Sequence, residues 1–159
     1  MDSRKGLTLI EMVIVVLIVG IVGALAAPRY SRSLEHFRAE AAARKIAADL
    51  ARARGDARTT GANRTVEFDM GLNQYTLVGV KDLDRPHLDC TTRLSKTGYP
   101  ATLLSADFND TSQLTYDLHG RAWAGSPLAP LTAGSAVIQA GSRQRTIVID
   151  PTTGKAQVE

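Results

Sequence analysis

Residues 7–27 read LTLIEMVIVVLIVGIVGALAA, 21 positions interrupted by a single charge, Glu11. As an α-helix rising about 1.5 Å per residue, the run reaches roughly 30 Å, the thickness of a bilayer's hydrocarbon core. Beyond Pro28 the chain is mixed polar and apolar, and no second run of this kind follows. The sequence therefore carries one membrane-length segment, at residues 7–27.

Around that segment, 159 residues suit one modest domain plus an appendage. The formal net charge of +3 is too mild to imply a particular partner, although a positive surface attracts phosphate or anionic lipid. Cys90 is the only cysteine, so no intramolecular disulfide can form, and it is expected as a small, half-buried side chain.

Three readings compete for residues 1–27. In a cleaved signal peptide, Arg4 and Lys5 are the basic region and Ala24-Leu25-Ala26 the cleavage site, but the apolar run exceeds the roughly 7–15 residues expected and contains Glu11. An ordinary single-span anchor fits the length and gives no reason for a carboxylate, which costs on the order of 2.5–3.5 kcal/mol in hydrocarbon. In the third reading the chain is cut between Gly6 and Leu7. The new amine at Leu7 then lies one helical turn from Glu11, near the positive end of the helix dipole, and either this amine or a neighbouring subunit's neutralises the acid. A Glu11 that merely reaches the headgroups is the plain alternative.

Arg4-Lys5-Gly6 followed by Leu7-Thr8-Leu9-Ile10-Glu11 closely resembles the prepilin leader and cleavage motif of type IV pilins and pseudopilins. The resemblance implies a leader at 1–6, removed by a prepilin peptidase after Gly6, and N-methylation of Leu7. It also implies a membrane or filament-core helix at 7–27 in which Glu11 serves assembly. Pro28 falls where many pilins carry a proline, and Leu7 stands where phenylalanine is usual, a departure that touches processing efficiency. Gly20-x-x-x-Ala24 and Gly23-x-x-x-Ala27 place small residues where helices can approach closely, although Gly and Ala are also common in membrane helices. Basic residues flank both ends of the run, Arg4 and Lys5 before it and Arg29, Arg32 and Arg38 after it, so charge counting does not orient it. A cytoplasmic N-terminus with the globular part in the periplasm follows from the resemblance.

Pro28 is expected to kink or open the helix. An amphipathic continuation then occupies 28–60, with Ala39, Ala43, Ile46, Leu50, Ala53 and Ala57 at alternating four- and three-residue spacing. Arg38, Arg44, Lys45, Arg52 and Arg54, with Glu35, Glu40 and Asp49, are expected on the solvated opposite face. Gly55 is expected to loosen the helix and Gly61 to end it. Within the globular part, 61–159, strands are expected at Arg64–Asp69, Gln74–Lys81, Thr102–Leu104, Leu114–Leu118, Ser135–Ala140, Arg143–Asp150 and Lys155–Val158, with residues 82–100 a loop. A helix followed by runs of strands predicts an α+β fold, antiparallel sheet packed on the second half of a long N-terminal helix.

Leu114–Asp117 with Gly120-Arg121, Arg145–Ile149 and Gly154–Val158 resemble segments of the minor pseudopilin GspH and the FimT-type minor pilins, with Tyr116 in place of phenylalanine. That family has a pilin-like lollipop fold. The resemblance implies a minor pseudopilin of a type II secretion system that starts or caps a pseudopilus, its partners being prepilin peptidase, the major and other minor pseudopilins or pilins, and the inner membrane. A minor pilin of a type IV pilus is the alternative. Some FimT-like members bind DNA, and Arg121, Arg143 and Arg145 are the candidates here, against the plainer reading of solvated strand residues. They would meet phosphates without reading sequence. Nucleotide-binding, hydrolase and zinc-protease signatures are absent from the sequence. His87 and Cys90 with Asp82, Asp84 and Asp89 lack structural-zinc spacing and read as a polar loop. Catalytic residues, metal and cofactor are therefore not expected.

Overall fold

A computed structural model of the chain describes residues 8–125 and 127–159, with backbone alone at 25–28. The chain divides into two units, one ending at Leu34 and one running Glu35–Glu159. A single helix, α1, runs Leu9–Thr60 without interruption, through both Pro28 and Gly55. Pro28 removes one intrahelical hydrogen bond, which does not end a helix of 52 residues. Gly61 does end it. Its φ of +65° is the left-handed cap conformation that glycine adopts without steric cost.

After α1 the chain is all antiparallel. β1 (Arg64–Asp69), β2 (Gln74–Lys81) and β3 (Asp89–Arg93) are joined by β5 (Gln113–Tyr116), β6 (Ala122–Ala124) and β7 (Ala129–Pro130) in a six-stranded sheet of order β3-β2-β1-β5-β6-β7. β4 (Thr102–Phe108), β8 (Gly134–Ala140), β9 (Arg143–Ile149) and β10 (Ala156–Val158) form a second sheet, β10-β9-β8-β4. The α+β expectation holds. So do the β1–β2 and β8–β9 hairpins, whose inward positions alternate with outward ones.

Other expectations need correction. Residues 82–100 contain β3 and a single 3-10 turn, Leu94–Lys96. β3 pairs only with β2, through Thr76↔Thr91 and Leu77↔Cys90, so it lies at a sheet edge, where its polar residues need no alternation. β4 continues four residues past Leu104, because the register shift between Leu103 and Ser105 absorbs the break in pattern. β6 and β7 are too short and Ala- and Pro-rich to signal strands.

The helix stripe closes the core. Ala39, Ala43, Ile46, Leu50, Ala53 and Ala57 are all 0–1% exposed. They share one cluster with Leu77, Tyr116, Ile138 and Ile147, which come from both sheets. Phe68 of β1 stacks at 5.4 Å on Phe108 of β4 and tethers one sheet to the other. Asp49 does not lie on the solvated face. It follows Ile46 by three positions, is 5% exposed, and accepts the Tyr75 hydroxyl at 2.5 Å and Lys45 Nζ at 2.7 Å. A buried carboxylate persists only when it is paired in this way. Burial, and then the Asp49 charge, push the Tyr75 phenol well above its usual value.

Tyr116 is fully buried too, yet its hydroxyl has no partner among the described residues. The two tyrosines should therefore respond oppositely to loss of the hydroxyl. Tyr75→Phe leaves Asp49 short of a donor and should lower unfolding stability by about 1–3 kcal/mol, whereas Tyr116→Phe should leave it unchanged or raise it. Denaturant unfolding of the detergent-solubilised chain measures both, and a Tyr116→Phe loss equal to that of Tyr75→Phe would contradict the assignment.

Candidate functional site

Among the described residues, the first unit is a helix with an apolar surface over Leu9–Val22 and one acid, Glu11. From Leu9 to Val22, twelve large apolar side chains are 48–83% exposed. Among the described residues this helix alone is long and apolar enough to cross a membrane, with a mean hydropathy of 2.9 over its best window. Glu11 sits in the first turn, where the dipole favours an anion. Its backbone N–H donates to Thr8 Oγ1 at 3.3 Å, and the Met12 N–H donates to the Thr8 carbonyl. Thr8 is thus the cap of α1, a role missed in the sequence although Thr8-x-x-Glu11 has the capping-box spacing. Gly20, Gly23 and Ala24 are exposed along one side of the helix, and nothing lies within 4 Å of a Cβ placed on either glycine. Gly6 and Leu7, the expected cleavage and methylation positions, lie outside the described residues, as does the Pro28 side chain.

In the second unit, the β8–β9 turn is fastened to the first turns of α1 that follow Leu34. Glu35 accepts both the backbone N–H and the hydroxyl of Ser142, at 3.0 and 2.8 Å. Gly141, with φ of +59°, lies so close that any Cβ would collide with the Glu35 side chain. Arg145 Nε bonds Glu40 at 2.8 Å and its NH2 lies 3.2 Å from His36 Nδ1, while Arg44 holds the other Glu40 oxygen at 2.9 Å. Sequence reasoning placed these acids on a solvated face and missed the fastening, whose partners are some 105 residues apart in the chain.

The three arginines considered for phosphate contact are not gathered. Arg143 is exposed, whereas Arg145 is tied to Glu40. Arg121 follows Gly120, whose carbonyl accepts Arg54 Nε at 2.9 Å. Glu40 and Arg54 are roughly 20 Å apart along the helix at its standard rise.

The His87–Cys90 region is a polar loop leading into β3. Asp82 caps the backbone of Asp84 and Arg85, whose N–H groups hold its carboxyl below the usual range. Asp89 bonds Lys81 at 3.1 Å. Cys90 is half-buried, as expected. Burial pushes its thiol up, away from the reactive thiolate.

Residues 1–27 match the family model of the prokaryotic N-terminal methylation motif, and residues 42–153 match that of type II transport protein GspH. Two curated relatives, each described as a fimbrial protein of Pseudomonas aeruginosa, are 34% identical over 84 residues, 49% of this chain and 54% of theirs. The chain thus spans about half the length of the curated relatives it matches. In fold it is similar to two crystal structures of the type IV minor pilin FimU from Pseudomonas aeruginosa strain PAO1. One has a TM-score of 0.51 at 18% identity, covering 76% of this chain and 91% of that one. The other has a TM-score of 0.54 at 21% identity, covering 79% and 90%.

The Glu40 contact carries a pH signature. Hydrogen bonding from Arg145, then from Arg44, holds Glu40 below its ordinary value of 4.5. A depressed folded value means that the contact stabilises above the ordinary value and is lost as pH falls through the depressed one. The native chain should therefore melt higher than Glu40→Gln at neutral pH, and the two should converge below about 4.5, in thermal melts across that range.

Proposed function

This chain belongs to the type II transport protein GspH family, whose members are structural, type IV pilin-like subunits and not enzymes, and we propose that it serves as a minor pseudopilin of a type II secretion system. In this reading a prepilin peptidase removes residues 1–6 and methylates Leu7. The helix holds the subunit in the inner membrane with residues 61–159 on the periplasmic side. The processed chain then enters a pseudopilus, at or near its tip, together with major and other minor pseudopilins. The observation that carries this is the combination of an exposed apolar helix with a single carboxylate, Glu11, in its first turn. Cleavage at Gly6 would put an amine one turn away from that acid. Glu11, Gly20, Gly23, Ala24 and Pro28 are the proposed assembly positions.

A second reading, a minor pilin of a type IV pilus, draws support from the likeness to FimU and to the fimbrial relatives. Any phosphate contact in that setting would fall first to Arg143, since Arg145 is already engaged by Glu40.

Mass spectrometry of the mature chain tests processing. A chain beginning at Leu7 supports either filament reading, and one beginning near Ala27 or Pro28 rejects both. Glu11→Ala should leave membrane insertion intact and abolish recovery in sheared filaments, and incorporation equal to the native chain's would refute Glu11's role. Deleting the chain should block protein export in the first reading, and twitching or DNA uptake in the second.

A further inference from the structure

The last turns of α1 and the β5–β6 turn, residues 117–121, bring together cations that the fold leaves unmatched. The Arg54 and Arg58 side chains both lie against Gly120: a Cβ placed there would come within 3.2 Å of Arg54 Nε and 2.8 Å of Arg58 Cδ. Gly120 also holds φ at +76°, so crowding and backbone conformation both call for glycine where the two side chains converge. Arg54 gives its Nε–H to the neutral Gly120 carbonyl, at 2.9 Å. Arg58 and Arg121 are exposed, and neither has a carboxylate within ion-pairing distance among the described residues.

The acids nearest in the chain are already committed. Asp56 pairs with Arg64. Asp117 accepts the backbone N–H groups of His119 and Arg121, at 2.9 and 2.8 Å, and the Trp123 indole N–H at 3.1 Å. The carbonyl end of α1 offsets about half a charge, which leaves most of the charge of the three arginines unmatched. Beside them lies an open depression of about 500 Å³, lined by Gly55, Arg58, Thr59, Leu118 and His119. Its apolar wall is Leu118, 48% exposed, and nothing lies within 4 Å of a Cβ placed on Gly55, so the helix side is open to close approach. A bare phosphate would use the cations alone. A peptide with an acidic residue beside an apolar one would use both the cations and Leu118.

We propose that this depression receives an acidic segment of a different filament subunit, one carboxylate meeting Arg58 and an adjoining apolar side chain covering Leu118. This rests on the minor-subunit reading above, in which the neighbours at the tip are other subunits. Charge complementarity of this type sets register and partner choice more than raw affinity.

Photo-cross-linking in the full chain, expressed in its own cells, tests it. p-Benzoylphenylalanine in place of Thr59 lines the depression and changes no charge. Mass spectrometry of the linked product should identify a segment of another filament subunit that carries Asp or Glu beside an apolar residue. Arg58→Glu should lower the linked fraction about tenfold, as like charges then face each other, and Arg58→Lys should largely keep it. Arg93→Glu changes net charge equally, on a strand three positions away in the sheet, and should leave linking unchanged. Reversing the linked acid to Arg should restore linking to the Arg58→Glu chain. A link to a second copy, to lipid or to nucleic acid overturns the contact, as does linking indifferent to Arg58→Glu or equally reduced by Arg93→Glu. Chains recovered in sheared filaments without a link overturn it too, while the filament-subunit reading survives. Chains absent from every filament overturn both.

Discussion

A helix whose described residues from Leu9 to Val22 carry exposed apolar side chains all round sets the terms for the rest of the molecule. Covering a large apolar side chain is worth about 1.5–3 kcal/mol, so twelve of them between Leu9 and Val22 represent tens of kcal/mol. The single acid in the same stretch costs on the order of 2.5–3.5 kcal/mol in hydrocarbon. The apolar term wins by a wide margin, so Glu11 does not decide whether the helix leaves water. It bears on what covers it. Lipid tails offer the carboxylate nothing, whereas in the proposed filament a neighbouring helix beginning with a free amine would offer a partner.

The second half of the same helix solves the opposite problem, lying close against sheets. Alanines at positions 39, 42, 43, 53 and 57 contribute little area each, but they let backbones approach closely, and Ile46 and Leu50 fill the middle of the contact. The polar groups that border this stripe are paired rather than left wet. Asp49 is met by Tyr75 and Lys45, Asp56 by Arg64, and Glu40 by Arg145 and Arg44. Arg52 and Arg54 end on the carbonyls of Lys81 and Gly120. Such directional contacts fix the register of helix against sheet, which small, similar alanines cannot specify by shape alone.

The legibility of the sequence follows the same physics. The membrane-length run, the helix stripe and the β1–β2 and β8–β9 hairpins each write a period into consecutive residues, and each was readable. β3 was not, because an edge strand of sequence DCTTR buries neither face completely and so carries no alternation. β6 and β7 were too short to carry a period. Asp49 misled because its residue type argues for solvent, and its partner Tyr75 lies 26 residues away. At the N-terminus, Glu11 was legible as an anomaly. Thr8, whose hydroxyl accepts the Glu11 N–H, was not legible as a cap because it lies inside the apolar run rather than before it.

Charge placement therefore divides along the chain by how much of it is spent inside the fold. Where α1 meets sheet, the acids are matched by cations of the same chain. In the first turn of α1, along the edge of β3 and at the β4–β5 turn, charges are left without a counter-ion among the described residues. An exposed surface charge costs little to leave unmatched, so these positions are not required by stability. In the proposed filament, an unmatched acid on an apolar helix would restrict which neighbours can approach and in what register. The apolar helix supplies affinity without direction, and these few charges supply direction with little affinity.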